Sequence, residues 1–286
     1  MRVIKTTFLL TVLTLLLLFV GQAFGGHNGM TIALGFAILM NGVAYFFSDK
    51  IALMSSGAVP ISREQAPRLY QVMERLAGKA NLPMPKLYLI PQPAPNAFAT
   101  GRNPSHASVA VTQGLLELMD DEELEGVIAH ELSHVRNYDI LTSSIAATIA
   151  GAITWLAQMG KWGMIFGGWG GGEDRDREGG GIAALLMLIL APLAALLLQL
   201  GISRQREYQA DASGAKMVGH PYGLARALEK LGAYNQRIPM QISPSTSALC
   251  IVAPKSAGQF IANLFSTHPP LADRIQKLQG MNITRS

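Results

Sequence analysis

One cysteine, Cys250, stands among 286 residues. That excludes an internal disulfide framework and a cysteine-rich metal knuckle. Charge is also scarce: Asp, Glu, Lys and Arg supply 15% of the chain, against about 25% in a typical soluble domain. Hydrophobic residues reach 49% and mean hydropathy is +0.26, so much of the chain must face something other than water. A disordered polar tail and a collagen are excluded on the same grounds. A net charge of +4 and a pI near 9.2 come without a dense Lys/Arg run or interleaved aromatics, which argues against nucleic acid as a partner and for a membrane surface.

From Thr6 to Ser48 there is no charged side chain, and only the small patch Gly25 to Gly29 interrupts the apolar run. Two spans joined by a tight turn fit it, Phe8 to Phe24 and Met30 to Phe47, because about 17 to 25 apolar residues cross a hydrocarbon core as a helix. A cleaved signal peptide competes, with Arg2 and Lys5 as its basic start and Gly21-Gln22-Ala23 as its cleavage site. The long apolar core and the second run weigh against it. Two more uncharged runs, Ile140 to Gly160 and Gly179 to Ser203, flank a Gly-rich loop and read as a second hairpin. Pro192 in the last run is tolerable where neighbouring helices satisfy the freed carbonyl. The third run is rich in Ala, Gly, Ser and Thr, which suits a helix packed on other helices; a buried core helix is its alternative. If all four runs cross, 20 of the 23 Lys and Arg fall on one side, the cytoplasmic side by the positive-inside rule.

The strongest local pattern is His130-Glu131-Leu132-Ser133-His134. It lies in a predicted helix: Asp120 and Glu123 form a capping box, and Leu124, Val127, Ile128, Leu132 and Val135 recur at helical spacing. Four residues advance a helix by about 400°, so both histidines share one face, as two ligands of one Zn²⁺ require. Glu131 sits beside that face, within reach of a water and outside the ligand set. A catalytic zinc needs a third protein ligand. Glu207 is the best candidate, four residues before Asp211 and on the same helical face, where Asp211 can accept the second ring N–H of a ligating histidine. An exposed helix with ordinary Arg/Glu pairing is the competing reading of that segment. His27, His106 and His220 have no motif partners and read as turn or surface residues.

The pairing of HELSHVRNYD with a downstream REYQAD, in a chain with four apolar runs so placed, resembles the HtpX-type membrane zinc metalloproteases. These are gluzincins related to the CAAX prenyl protease. The resemblance extends to Leu82 to Ile90, Pro95 to Gly101 and Ser266 to Arg274. It implies one Zn²⁺ per chain held by His130, His134 and Glu207, with Glu131 as catalytic base, and proteolytic quality control of membrane proteins under stress. Zinc brings the pKa of water down to about 7, and Glu131 can take that proton and return it to the leaving amine. His268, held extended before Pro269 and Pro270 and followed by a helix from Leu271 to Gln279, is the candidate second donor to the oxyanion. Arg274 on that helix positions His268 or a carboxylate, or is a surface residue.

Asn96 to Gly101 and Ala107 to Thr112 read as strands around a turn, with Val109 and Val111 alternating away from small residues. An edge strand here, through Asn96, Ala97, Phe98 and Ala99, can align a substrate peptide by backbone pairing. Gln241 to Pro254 reads as a loop or flap over the cleft. The expected architecture is a mainly α membrane protein with four transmembrane helices and a cytosolic gluzincin-like α+β zinc metalloprotease domain with a small β-sheet. Its parts are a leading hairpin at 1–48, protease segments at 49–139 and 204–286, and a second hairpin at 140–203. The expected location is the bacterial inner membrane, multi-pass, with termini and active site cytoplasmic. Membrane or unfolded proteins and the lipid bilayer are the expected partners; self-cleavage and oligomeric state stay open. A prenyl-protein protease, or a membrane scaffold whose zinc is structural, are the alternatives.

Overall fold

The leading apolar run folds as a helical pair. In the computed structural model, which describes residues 2–151, 203–235, 237, 249–252 and 269–283, helix α1 covers Arg2–Ser55 and breaks at Gly26, whose φ of 55° and ψ of −144° leave the helical region. The two arms fold back on each other: Asn41 Nδ2 donates to Thr14 Oγ1 at 2.8 Å. Small residues allow the approach, since a Cβ on Gly21 would stand 2.5 Å from the Ala33 Cβ. The stretch Gly25–Ser55, 31 residues, is long and apolar enough to cross a membrane, and Ile32, Phe36, Ile38 and Leu39 on it project outward. Thr6–Phe19 in the first arm is a shorter apolar helix. Among the described residues one helix, where four spans were expected, has the length and composition of a span.

The chain then builds a four-stranded sheet from β1 (Val59–Pro60), β2 (Lys86–Ile90), β3 (Ala97–Gly101) and β4 (Ala107–Thr112), in the order β1-β2-β4-β3. β2 and β4 run parallel, and β3 runs antiparallel to β4 on the outside edge. Between β3 and β4 the expected turn carries a short 3₁₀ helix, Pro104–His106, capped by the Asn103 side chain. Strand alternation divides β4 between two cores. Val109 and Val111 pack with Leu69, Met73 and Leu76 of α2 (Pro67–Lys79), while Ala110 faces Phe98, Ile90 and the α1 residues Ala52 and Leu53. The far end of α1 is thereby fixed to the sheet.

After the short α3 (Gln113–Leu118) comes α4 (Asp121–Arg136), which carries the two motif histidines. Its Leu124, Val127, Ile128 and Leu132 are fully buried, each such side chain worth about 1.5–3 kcal/mol. The chain turns through Tyr138, at φ 59°, into α5 (Asp139–Gly151). This is the start of the third apolar run. Ile145, Ala146 and Ile149 on it pack against Leu9, Leu13 and Ala44 of α1, so the described part joins the leading hairpin. The fourth run and the Gly-rich loop lie outside the described residues. Among the described residues three further helices follow: α6 (Arg204–Val218), α7 (Tyr222–Asn235) and α8 (Leu271–Gln279).

Candidate metal centre

The start of α4 is fixed by its own sequence. Glu123 N–H donates to Asp120 Oδ1 at 2.9 Å while Asp120 N–H donates to Glu123 Oε2 at 2.9 Å, the reciprocal cap read from the sequence. Caps of this kind contribute about 1 kcal/mol. Glu123 is also buried, and Lys230 Nζ on α7 donates to it at 2.7 Å. This holds the helix in register with its neighbour.

Glu207 reaches the histidines because α6 crosses α4 at a glycine. A Cβ on Gly214 would lie 2.9 Å from the His130 backbone nitrogen and 3.1 Å from the Ala129 carbonyl carbon. Both are backbone atoms and cannot turn aside. Gly214→Ala is therefore expected to separate the helices, costing about 1–3 kcal/mol and weakening metal affinity. Thermal unfolding and metal titration of the purified variant check this; wild-type values in both would contradict the role of the crossing.

His130 Nε2 and His134 Nε2 are 3.2 Å apart. Glu207 Oε1 lies 3.4 Å from His134 Nε2, and Oε2 lies 3.8 Å from His130 Nε2. Ligands about 2.0–2.2 Å from a tetrahedral Zn²⁺ are separated by roughly 3.4 Å, so one ion fits these donors. The outer nitrogens agree with that use. His130 Nδ1 is 2.9 Å from Asp211 Oδ1, and His134 Nδ1 is 3.4 Å from Asp139 Oδ2. Carboxylates there favour a proton on each Nδ1, which turns both Nε2 lone pairs toward the Glu207 carboxylate. Three electron-pair donors, two buried and His134 half-buried, converge where they could hold one cation, and the His, His, Glu set is consistent with zinc.

Charge around the donors is tightly arranged. Arg274 is fully buried and donates through Nε and Nη2 to the two Asp211 oxygens at 2.8 and 2.7 Å. Burial works against the Asp211 carboxylate, but Arg274 and His130 outweigh it and hold its pKa below the usual range. Burial lowers the pKa of His130. At His134 burial acts the same way, yet Asp139, Glu207 and Glu131 prevail and raise it. Glu131 is buried, its Oε1 has no hydrogen-bond partner, and burial raises its pKa to about 7, with Glu207 adding to the effect and His134 opposing it. A carboxylate beside the three donors can accept a proton and return it.

Glu131 opens on a cleft with the three donors, Ala99, Ile140, Leu249 and Cys250. Burial raises the Cys250 thiol pKa well above its ordinary value, which makes it a neutral wall residue. Of the strand residues expected to meet substrate, Asn96, Ala97 and Phe98 are turned to the chain itself. Asn96 Nδ2 donates to Val252 O at 2.8 Å, Ala97 O accepts from Ile251 N–H at 2.9 Å, and Phe98 packs beneath the sheet. Ala99 remains at the cleft. Arg274 is no surface residue, and it meets the carboxylate Asp211. His268 lies outside the described residues, as does most of the expected flap; of its described part, Leu249, Cys250 and Ile251 line the cleft.

One contributor had no clear signal in the sequence. Asp139 follows His134 by five residues, a spacing that leaves the helical face. Only the left-handed turn at Tyr138 brings it back to the ring, where Arg206 Nη1 holds its other oxygen at 3.3 Å.

The description peptidase family M48 matches residues 63–282, most of the chain and all of the cluster. The chain belongs to peptidase family M48. It is 58% identical over 277 residues to the "Protease HtpX homolog" of Desulfatibacillum aliphaticivorans, an alignment covering 97% of this M48 chain and 89% of that protein. A protein of the same name from Syntrophobacter fumaroxidans is 52% identical, with 97% and 98% covered. Among solved structures, the crystal structure of S. mikatae Ste24p aligns with TM-score 0.53 at 21% identity, covering 93% of this chain. That likeness is one of fold, and this M48 chain spans 62% of the Ste24p chain. The expected HtpX-type resemblance holds, and the protein is a metalloprotease.

Proposed function

We propose that this M48 protease is a membrane-embedded, zinc-dependent endopeptidase that cleaves misfolded or damaged membrane proteins at the cytosolic face of the bacterial inner membrane, in protein quality control under stress. The observation that carries the reading is the convergence of His130, His134 and Glu207 beside the unpartnered Glu131 Oε1. Among the described residues three donor side chains meet there, and a base lies alongside, which favours catalysis over structural zinc. Nearness to the bilayer is supported by the chain path. Asp139, which orients His134, begins the helix that packs on the outward-facing apolar hairpin.

When bound, Zn²⁺ supplies Lewis acidity, polarising the scissile carbonyl and making water acidic. The protein's own groups do the rest. Glu131 takes the proton of the attacking water at Oε1 and delivers it to the leaving amine. Asp211 and Asp139 keep the two imidazoles in the tautomer that offers Nε2. The backbone of Ala99, on the edge strand beside Glu131, is where an extended peptide lies. His268 is assigned as second donor to the oxyanion.

The test is cleavage of an unfolded membrane protein by the detergent-purified chain. A chelator is expected to abolish cleavage and stoichiometric Zn²⁺ to restore it. Cleavage that persists in full after complete metal removal would overturn the proposal.

A further inference from the structure

Residues 249–252 behave as a short strap laid along the edge of β3. Ile251 N–H donates to Ala97 O at 2.9 Å, pairing where a substrate backbone could otherwise pair. The Asn96 side chain grips the next residue from both sides: Nδ2 donates to Val252 O at 2.8 Å, and Oδ1 accepts from Val252 N–H at 3.5 Å and from Ala97 N–H at 3.0 Å. Asn96 is itself pinned, its N–H donating to Thr112 Oγ1 at 2.8 Å on β4. On the opposite side Arg274 Nη1 donates to Ile251 O at 2.8 Å. The strap is thus anchored to the sheet at one point and, through Arg274 and Asp211, to the His130 ring at another. Leu249, Cys250 and Ile251 line the same cleft as Ala99 and Glu131.

We propose that residues 249–252 form a fixed wall of the substrate cleft, and that Asn96 is the positioning residue that clamps this wall onto the edge strand. The inference rests on the peptidase reading above. The clamp has two consequences. Peptide pairing with β3 begins at Ala99, because Ala97 O is already used. The side chain of the substrate residue beside the scissile bond meets the apolar wall made by Leu249, Cys250 and Ile251, so a small or medium apolar side chain is accepted there and a charged one is excluded. Asn96 itself acts through the strap and does not touch the peptide.

The test uses the full zinc-loaded chain in detergent and two variants. Asn96→Asp keeps size and one acceptor oxygen but removes the donor to Val252 O. Ile251→Pro leaves Asn96 intact and removes the N–H that pairs with Ala97. Amide hydrogen exchange at Ile251 is expected to quicken about tenfold or more in Asn96→Asp, with KM for an unfolded substrate up about tenfold, kcat within about threefold and zinc still one per chain, the pattern of lost uniform binding. Ile251→Pro is expected to show the same rise in KM. Unchanged Ile251 protection in Asn96→Asp, or a raised KM with that protection intact, overturns the clamp; the second outcome makes Asn96 a direct substrate contact. Wild-type KM in Ile251→Pro overturns the strap as a wall. If the wild-type chain cleaves nothing when zinc-loaded, the peptidase reading fails, while the exchange measurement still decides the clamp.

Discussion

Glu131→Gln is expected to keep the metal and lose peptide hydrolysis by about 10²–10⁴-fold in kcat, the range a positioned general base supplies. The substitution is nearly isosteric and the site is closed: Glu131 is 1% exposed, its Oε1 has no partner, and the metal donors belong to other residues. Neither the α4 backbone nor the His130 to His134 spacing has reason to move. Removing a buried carboxylate that burial already disfavours also relieves a desolvation cost. The metal-free variant is therefore expected to unfold at a temperature equal to or above that of the metal-free wild type. Zinc content, thermal unfolding and single-turnover cleavage together check the assignment. A zinc-loaded Glu131→Gln chain with wild-type turnover would refute the base; one that has lost its metal would show that Glu131 supports binding instead.

That much of the candidate centre is legible in the sequence follows from helical geometry. His130 and His134 share a face because they are four apart, the reciprocal cap of Asp120 and Glu123 fixes where the helix begins, and Glu207 and Asp211 repeat the same spacing. Local rules carry such information without reference to the rest of the chain. What they could not supply is the close crossing that unites the two helices. It depends on Gly214 facing the His130 backbone, and a lone glycine in a helix reads as a mere weakness until its neighbour is known. Asp139 was hidden by a turn rather than by distance in sequence. The partners of the Asn96 side chain, Val252 and Ala97, were hidden for a related reason. Its position at the head of an edge strand suggested a peptide contact, but an edge is open only where the chain has not already covered it, and a four-residue backbone strap leaves no side-chain pattern to read. The apolar segments divide in the same way. Composition marks Met30 to Phe47 as long and apolar enough to cross a membrane, and it lies within the helix Gly25–Ser55, whereas the Ala- and Ser-rich start of the third run is explained by what it packs on, the α1 residues Leu9, Leu13 and Ala44.

Arg274 carries the second large effect, because one guanidinium serves two walls of the site. It is 0% exposed, bidentate on Asp211, 2.8 Å from Ile251 O and 3.8 Å from Glu207 Oε2. Arg274→Met leaves the Asp211 carboxylate buried without its cation, and breaking a buried pair by removing one partner costs about 3–5 kcal/mol. For a chain of this size that corresponds to a fall of roughly 10 °C in the unfolding midpoint. Lysine is not expected to rescue it, since a point charge cannot meet both Asp211 oxygens and a carbonyl in one plane. Adding Asp211→Leu to Arg274→Met removes the stranded charge, and most of the lost stability is expected to return. Metal binding behaves differently. Asp211 Oδ1 lies 2.9 Å from His130 Nδ1, placed to favour the tautomer that offers Nε2, and loss of such a partner typically weakens metal affinity about 10–100-fold. The double variant is therefore expected to be stable yet weak for zinc, with the deficit seen in competition against a chelator of known affinity. Recovery of both stability and zinc affinity in the double variant would mean that His130 needs no carboxylate behind it, and that Arg274 and Asp211 serve the fold alone.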